Sequence, residues 1–156
     1  MKKIKYIFVI LVSLLLTTAC NPTTGTLTCT MSSYPTDGIT LRSTYTAEYK
    51  NNIVTNLKTE EQVIAEDKDN LETYQEKIEE LYQGYQGLDY YENKTSIKGN
   101  TLTSTTNINY SKVDTDKLIE IDDGNANMIK DGKVNIDDLQ QMYKDNGCNC
   151  KKRAKN

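Results

Sequence analysis

Residues 39 to 64 contain two stretches in which apolar and polar side chains alternate, and this alternation constrains the fold more than any other feature. The first stretch runs from Ile39 to Tyr49 and the second from Ile53 to Ile64. A period of two is typical of a β-strand with one buried and one solvated face. Because only Lys50-Asn51-Asn52 separates the two stretches, they predict an antiparallel hairpin.

The alternation also predicts which side chains of the hairpin point inward. In the first strand the inward set is Ile39, Leu41, Ser43, Tyr45, Ala47 and Tyr49. In the second strand it is Ile53, Thr55, Leu57, Thr59 and Val63. The adjacent acids Glu60-Glu61, Glu79-Glu80 and Asp122-Asp123 are interpreted as solvated pairs, since charge pairs usually lie on solvent-exposed faces.

After the hairpin the apolar period becomes helical. Leu71, Tyr74, Ile78, Leu81, Tyr82 and Tyr85 fit one helix from about Asp69 to Gln86. Further strands are predicted at Leu27–Met31, Asp89–Ile97 and Thr101–Tyr110, and short helices after Asp114 and Asn135. This order predicts an α+β domain: an antiparallel sheet with a long helix packed on one face and short C-terminal helices.

The amino terminus has the pattern of a secretory signal peptide. Three lysines lie within the first five residues, an apolar run reaches Leu16, and Thr17-Thr18-Ala19 precedes Cys20. A cysteine at this place resembles the bacterial lipobox, in which it receives diacylglycerol and usually an N-terminal acyl chain such as palmitate. We therefore expect Cys20 to be the lipidated first residue of an extracytoplasmic protein, held at the cell membrane by its lipid.

Four segments follow from this interpretation. Residues 1–19 are the signal peptide, 20–26 a tether, 27–150 one α+β lipoprotein domain, and 151–156 a basic disordered tail. Residues 20–156 carry 16 cations and 22 acids, and four of the cations lie after Cys150. Residues 20–150 therefore carry 12 cations against 22 acids, and this negative net charge argues against nucleic acid as a partner.

The composition removes several kinds of active site. The chain has no His, no Trp and one Phe, whereas it has 11 Tyr. Without histidine a Ser-His-Asp or Cys-His site cannot form. No phosphate loop or zinc-finger spacing is present, so we expect neither a cofactor nor a metal.

Two weaker patterns in the sequence each have a simpler interpretation. Residues 127 to 138 resemble half of a calcium loop, but Ile129 occupies a ligand position, so a turn capping the last helix is favoured. Glu48 or Glu92, together with Arg42, could serve a carboxylate-based envelope enzyme. No acid pair stands out in the sequence, so catalytic residues are not expected.

Several short motifs resemble those of the YehR-like lipoproteins, a bacterial family of uncharacterised function. They are Cys29-Thr30, Tyr45 to Lys50, Ile97 to Thr103, Tyr110-Ser111-Lys112 and a terminal glycine followed by cysteine. The similarity covers Leu27 to Lys151. It implies a small α+β lipoprotein domain with one cysteine near each end, whereas this chain has two terminal cysteines, Cys148 and Cys150.

An exported protein can form disulfides, and lipidation of Cys20 would leave three cysteines, of which one stays free. Cys29 could pair with either terminal cysteine on this reasoning. The family similarity favours Cys150, because family members end in glycine-x-x-cysteine, which matches Gly147 to Cys150. The expected site residues are therefore Cys20 for lipid and Cys29 with Cys150 for the disulfide.

The sequence does not define a molecular activity. The expected function is a non-catalytic binding or scaffolding module of the cell envelope, with an envelope protein or small ligand as partner. Such a module could act through its sheet face or a tyrosine-lined groove. A small-molecule or lipid carrier, or the carboxylate-based enzyme, is the alternative.

Overall fold

The computed structural model describes residues 23–155. Residues 1–22, which include the predicted signal peptide and Cys20, and residue 156 lie outside the described residues. The strands are β1 Thr24–Thr36, β2 Ile39–Lys50, β3 Ile53–Ala65, β4 Tyr91–Lys98, β5 Thr101–Asn109, β6 Ile129–Lys130, β7 Lys133–Val134 and β8 Asn149–Lys155. The helices are α1 Lys68–Tyr82, α2 Thr115–Ile121 and α3 Ile136–Asp145, with 3-10 turns at Gln83–Tyr85 and Asp123–Asn127.

Six strands form one antiparallel sheet in the order β4-β5-β3-β2-β1-β8, and β6 and β7 form a separate hairpin. The three helices of residues 23–155 pack on the same side of the sheet, which we call the inner face. No helix of residues 23–155 covers the opposite side, the outer face. The chain therefore has an α+β architecture with a large antiparallel sheet.

The β2–β3 hairpin has the predicted turn. Asn51 and Asn52 adopt φ angles of 52° and 63°, the left-handed pair that a two-residue type I′ turn requires. Asparagine tolerates this conformation better than most residues. The predicted inward face of β2 is confirmed, with Ala47 and Tyr49 fully buried.

The predicted inward face of β3 is wrong at its start. The register between β2 and β3 shifts between Glu48 and Tyr49, so that Thr55 has no partner on β2. This β-bulge moves Val54, not Ile53, into the core, where its side chain is 1% exposed. A bulge changes the parity of a strand, and no turn residue in the sequence indicates it.

Helix α1 begins at a cap and crosses one end of the sheet. The Asp67 carboxylate accepts a hydrogen bond from the backbone N–H of Asp69. The helix packs against β3, β4 and β5 through Leu71, Tyr74 and Ile78, and spans 15 residues. Leu81, predicted to point inward, is 66% exposed. The long helix therefore covers one end of the inner face, and the C-terminal elements cover the other end.

The C-terminal elements pack over the other end of the sheet. Asn135 caps α3 by accepting hydrogen bonds from two backbone N–H groups, and Gly147, with a φ of 84°, follows the helix end. Leu139 and Tyr143 of α3 are buried against β1 and β2. The segment that resembles half a calcium loop forms the β6–β7 hairpin and includes this predicted cap.

Two predicted segment boundaries are wrong. Residues 151–155, predicted as a disordered tail, belong to β8, which pairs with β1 from Asn149 to Lys155. Part of the predicted 20–26 tether is also strand, since β1 begins at Thr24. Both corrections have one cause, because each segment satisfies the backbone hydrogen bonds of the other.

A disulfide joins Cys29 of β1 to Cys150 of β8, with 4.0 Å between their Cα atoms. The two residues are direct partners in the register of the strand pair. Cys148 is free and buried. Among the described residues, no helix combines the length and apolar character needed to cross a membrane.

Gly25 provides a test of the corrected boundary. A Cβ atom at this position would collide with the Tyr49 ring and the Arg153 carbonyl. Gly25→Ala should therefore reduce the free energy of unfolding by about 1 to 3 kcal/mol, as overpacking does in a closed site. Denaturant unfolding measures this loss.

Thr23→Ala is the matched control, because Thr23 is exposed and precedes β1. It should leave stability unchanged. Equal midpoints for Gly25→Ala and the wild type would restore a flexible tether at this position.

Candidate functional site

The apolar core of the domain is divided into two clusters. The smaller cluster lies under α1 and contains Val63, Ala65, Leu71 and Leu102. The larger cluster lies under α2 and α3. The inner face between them is polar, because Glu61, Ser104, Thr106 and Asn93 occupy inward positions on β3, β5 and β4. The space above this polar strip is the candidate site.

Tyrosine rings from α1, the following 3-10 turn and β4 line this space. Tyr85 stacks on Tyr91 with 4.8 Å between ring centroids, and Tyr82 lies 6.3 Å from Tyr85 in a tilted arrangement. A cavity of about 420 Å³ opens beside these rings, and a second of about 170 Å³ continues toward Leu57 and Tyr110. Tyr82, Tyr85 and Tyr91 line both cavities, and together we call these cavities the tyrosine cleft.

The polar groups at the cleft are held by specific hydrogen bonds. The Asn93 amide donates to the hydroxyl oxygens of Ser104, at 3.1 Å, and Thr106, at 2.8 Å. The Tyr82 hydroxyl donates to the Glu61 carboxylate at 3.3 Å. The Asn125 amide donates to the Tyr85 hydroxyl at 3.3 Å. These bonds fix the orientation of the side chains on which the rings rest.

Burial changes the pKa values of the titratable side chains at the cleft. It raises the pKa of Glu61 above its ordinary value, although the hydrogen bond from Tyr82 opposes this change. Burial, together with the nearby Glu61 charge, raises the pKa of Tyr82 to about 12. Burial also raises the pKa of Tyr91 and Tyr85. The tyrosines are therefore neutral at physiological pH and can donate hydrogen bonds.

This arrangement is suited to binding. Neutral phenol rings offer apolar faces for stacking and hydroxyl groups for hydrogen bonding. The outer part of the cleft adds Glu79 and Thr95. A ring-shaped or planar ligand with polar substituents matches such a lining, since the rings can contact its face while the side chains contact its edge.

The structure does not bring the candidate enzymatic residues together. Arg42, Glu48 and Glu92 all lie on the outer face. Arg42 and Glu48 are six residues apart on β2, which corresponds to about 20 Å. Glu48 and Glu92 line one shallow hollow, but three strand spacings, about 14 Å, separate β2 from β4.

The cleft residues were only partly identified from the sequence. The helical period predicts that Tyr82 and Tyr85 share one face, whereas the Glu60-Glu61 pair predicts a solvated Glu61. In the structure Glu61 is half-buried and accepts a hydrogen bond from Tyr82. The alternation along β3 indicates that Glu61 points inward, because Glu61 lies on the same strand face as Leu57 and Val63. Asn93 could have been found in the same way, from its alternation with Tyr91 and Ile97.

The fold is similar to those of two solved structures. The NMR structure of the Escherichia coli YehR protein aligns with a TM-score of 0.54 and 18% identity, over 79% of this chain and 88% of that one. The chain has a YehR-like fold. An NMR structure of a protein from Streptococcus pneumoniae TIGR4 aligns with a TM-score of 0.52 and 18% identity, over 85% and 87% of the two chains.

Two other comparisons gave no match: no protein-family model and no curated protein matches the chain. At 18% identity, the resemblance to these two structures shows the arrangement of strands and helices.

Glu61 gives a pH-dependent prediction. Because the folded state raises the pKa of Glu61, protonation of this carboxyl group favours folding. Its contribution to the free energy of unfolding is complete below pH 4.5, the ordinary pKa, and is lost as the pH rises through the raised pKa. Glu61→Gln should remove this loss, so the variant should melt at a higher temperature than the wild type at neutral pH. Thermal unfolding at acidic and neutral pH measures the difference, which should shrink in acid.

Glu60→Gln is the matched control, since Glu60 occupies the adjacent position on the outer face. Its ion pair with Lys58, at 3.7 Å, is solvent-exposed and worth at most about 1 kcal/mol. The same pH-dependent gain in both variants would contradict the burial of Glu61.

Proposed function

We infer that the protein is a membrane-anchored extracytoplasmic lipoprotein of the YehR-like family that acts as a non-catalytic binding module of the cell envelope. The tyrosine cleft is its proposed binding site. One observation carries this proposal: three contacting tyrosine rings and hydrogen-bonded polar side chains line the same cavities. The proposed lipid anchor is Cys20, and the proposed partner is a small ligand or a segment of an envelope protein.

The chemistry of the cleft favours a polar ligand over a lipid chain. Glu79 and Asn93 border the larger cavity, and an acyl chain would separate both side chains from water. A ligand with hydroxyl or amide groups at its edge would instead satisfy them. This supports a binding module more than a lipid carrier.

Anchoring has a direct test. Cys20→Ser should remove the protein from the membrane fraction or leave it as uncleaved precursor, because the acyl chains that hold it cannot be added. Fractionation measures the distribution of the protein, and intact mass measures the modification. Cys148→Ser is the control and should stay in the membrane fraction, since Cys148 is buried in the domain. An unmodified Cys20 in the wild-type protein would contradict lipid anchoring.

Ligand binding at the cleft can be tested by crosslinking in intact cells. Replacing Tyr85 with photoreactive p-benzoylphenylalanine should give a specific adduct upon irradiation, because residue 85 lines both cavities. The same replacement at Tyr34 of β1 is the matched control, since Tyr34 is 75% exposed and lines neither cavity of the cleft.

A further substitution makes the crosslinking test specific for the cleft. Adding Asn93→Leu should reduce the Tyr85 adduct several-fold, because it removes a polar group from the cavity wall while keeping its volume. Identical adducts from positions 85 and 34, or an adduct unaffected by Asn93→Leu, would contradict the proposed site.

A further inference from the structure

The outer face of the sheet differs in charge from the rest of the domain. It carries three acids, Glu48, Glu60 and Glu92, and eight cations. The cations are Arg42, Lys50, Lys58, Lys94, Lys98, Lys151, Arg153 and Lys155. The outer face therefore has a net charge of +5. The remaining eight cations and nineteen acids give the rest of residues 23–155 a net charge of −11.

Strand β8 shows the same division within one element. Its inward lysine, Lys152, is bonded to the Asp137 carboxylate at 2.6 Å and lies over the Tyr49 ring. Its outward cations Lys151, Arg153 and Lys155 are exposed, and none forms an ion pair within the described part of the chain. The inward lysine is thus neutralised by the domain itself, whereas the outward three have no counter-charge among residues 23–155.

The three outward cations line a groove with hydroxyl groups. A groove of about 660 Å³ runs between β8 and β1, bordered by Thr26, Thr28 and Thr30 on one side and by the cations on the other. Register pairs place Thr26 beside Arg153 and Thr28 beside Lys151. No acid lines it. Cationic N–H groups interleaved with hydroxyl donors are suited to anionic oxygen groups such as phosphates.

The position of this groove relative to the proposed anchor identifies the source of such phosphates. β1 starts at Thr24, and Thr24 is the register partner of Lys155. Cys20 is four residues earlier, so at most about 14 Å of extended chain separates it from Thr24. If Cys20 carries lipid, the groove lies within a short reach of the membrane surface.

We propose that the groove between β1 and β8 docks on the anionic phospholipid headgroups of the membrane that holds the anchor. This proposal rests on the proposed lipidation of Cys20. The domain then contacts the bilayer with its outer face, and the acidic remainder points away from it. Anionic headgroups attract basic residues within a Debye length of the surface, so the contact weakens as salt is added.

The strand-edge position of β8 offers a different explanation of its lysines. Charged side chains on an edge strand prevent pairing with other sheets. That role requires no membrane, and it does not account for the unpaired state of three cations on one face and the paired state of the fourth. The two explanations make different predictions for protein bound to vesicles.

Lysine acetylation followed by mass spectrometry tests the proposal on the complete lipidated protein. The protein is incorporated in vesicles of phosphatidylcholine alone or of phosphatidylcholine with phosphatidylglycerol. We expect Lys151, Lys155 and Lys50, which also lies on the outer face opposite Thr24, to react several-fold more slowly in the anionic vesicles. Lys144 of α3 is the internal reference and should react equally in both, and high salt should remove the protection.

A pair of variants identifies the residues responsible. Lys151→Gln, Arg153→Gln and Lys155→Gln combined should abolish the protection of Lys50. Lys117→Gln, Lys130→Gln and Lys133→Gln combined also remove three charges, but from exposed positions outside the outer face, and should leave the protection of Lys50 intact.

Three results would overturn the proposal. The first is equal acetylation of Lys151 and Lys155 in the two kinds of vesicle. The others are protection of Lys144 as strong as that of Lys151 and Lys155, and protection that persists in high salt. Intact mass of the same sample separates this failure from failure of the anchor. A lipidated protein without protection at Lys151 and Lys155 contradicts the docking alone, whereas an unmodified Cys20 contradicts the proposed function.

Discussion

The pairing of the first strand with the last is the contact on which the rest of the domain depends. Strand β8 adds to β1 along seven register pairs, and the Cys29–Cys150 disulfide fixes that register covalently. The bond spans 121 residues, for which the chain-entropy model gives an upper estimate of about 5 kcal/mol. Because α3 immediately precedes β8, the same bond holds α3 against the inner face.

The sheet that β8 completes has two different faces. Apolar and aromatic residues at inward positions recruit all three helices to one side, while the threonines and charges at outward positions leave the other side in solvent. The inner face is not uniformly apolar, since Glu61, Asn93, Ser104 and Thr106 separate its two clusters. Tyrosine covers this polar strip well, because its ring packs on apolar neighbours while its hydroxyl reaches a polar partner.

The sequence predicted elements whose signals are local. The β2–β3 hairpin, the cap at Asn135 and the period of α1 all depend on residues close together in the chain. Strand β8 was missed because Lys151-Lys152-Arg153-Ala154-Lys155 has neither alternation nor β-propensity, and its strand conformation comes from β1, more than 100 residues away. The bulge at Thr55 was missed because it depends on the pairing between strands. The same holds for the cleft. The helical period places Tyr82 and Tyr85 on one face, and strand parity places Glu61 on the face of Leu57 and Val63. Only the packing of α1 on the sheet brings the Tyr82 hydroxyl to the Glu61 carboxylate.

The cleft and the cationic groove lie on opposite faces of the same sheet, and this placement links the two proposals. If the outer face contacts the bilayer, Tyr82, Tyr85 and Tyr91 are directed away from it, toward molecules of the surrounding envelope. A short connection from Cys20 to Thr24 would then restrict rotation of the domain, since the anchor and the cations contact one surface. The acidic inner side would be repelled from anionic headgroups, which opposes the reverse orientation. The charge asymmetry of the sheet would thus keep the cleft open to a ligand, while the proposed lipid on Cys20 would keep the protein at the membrane.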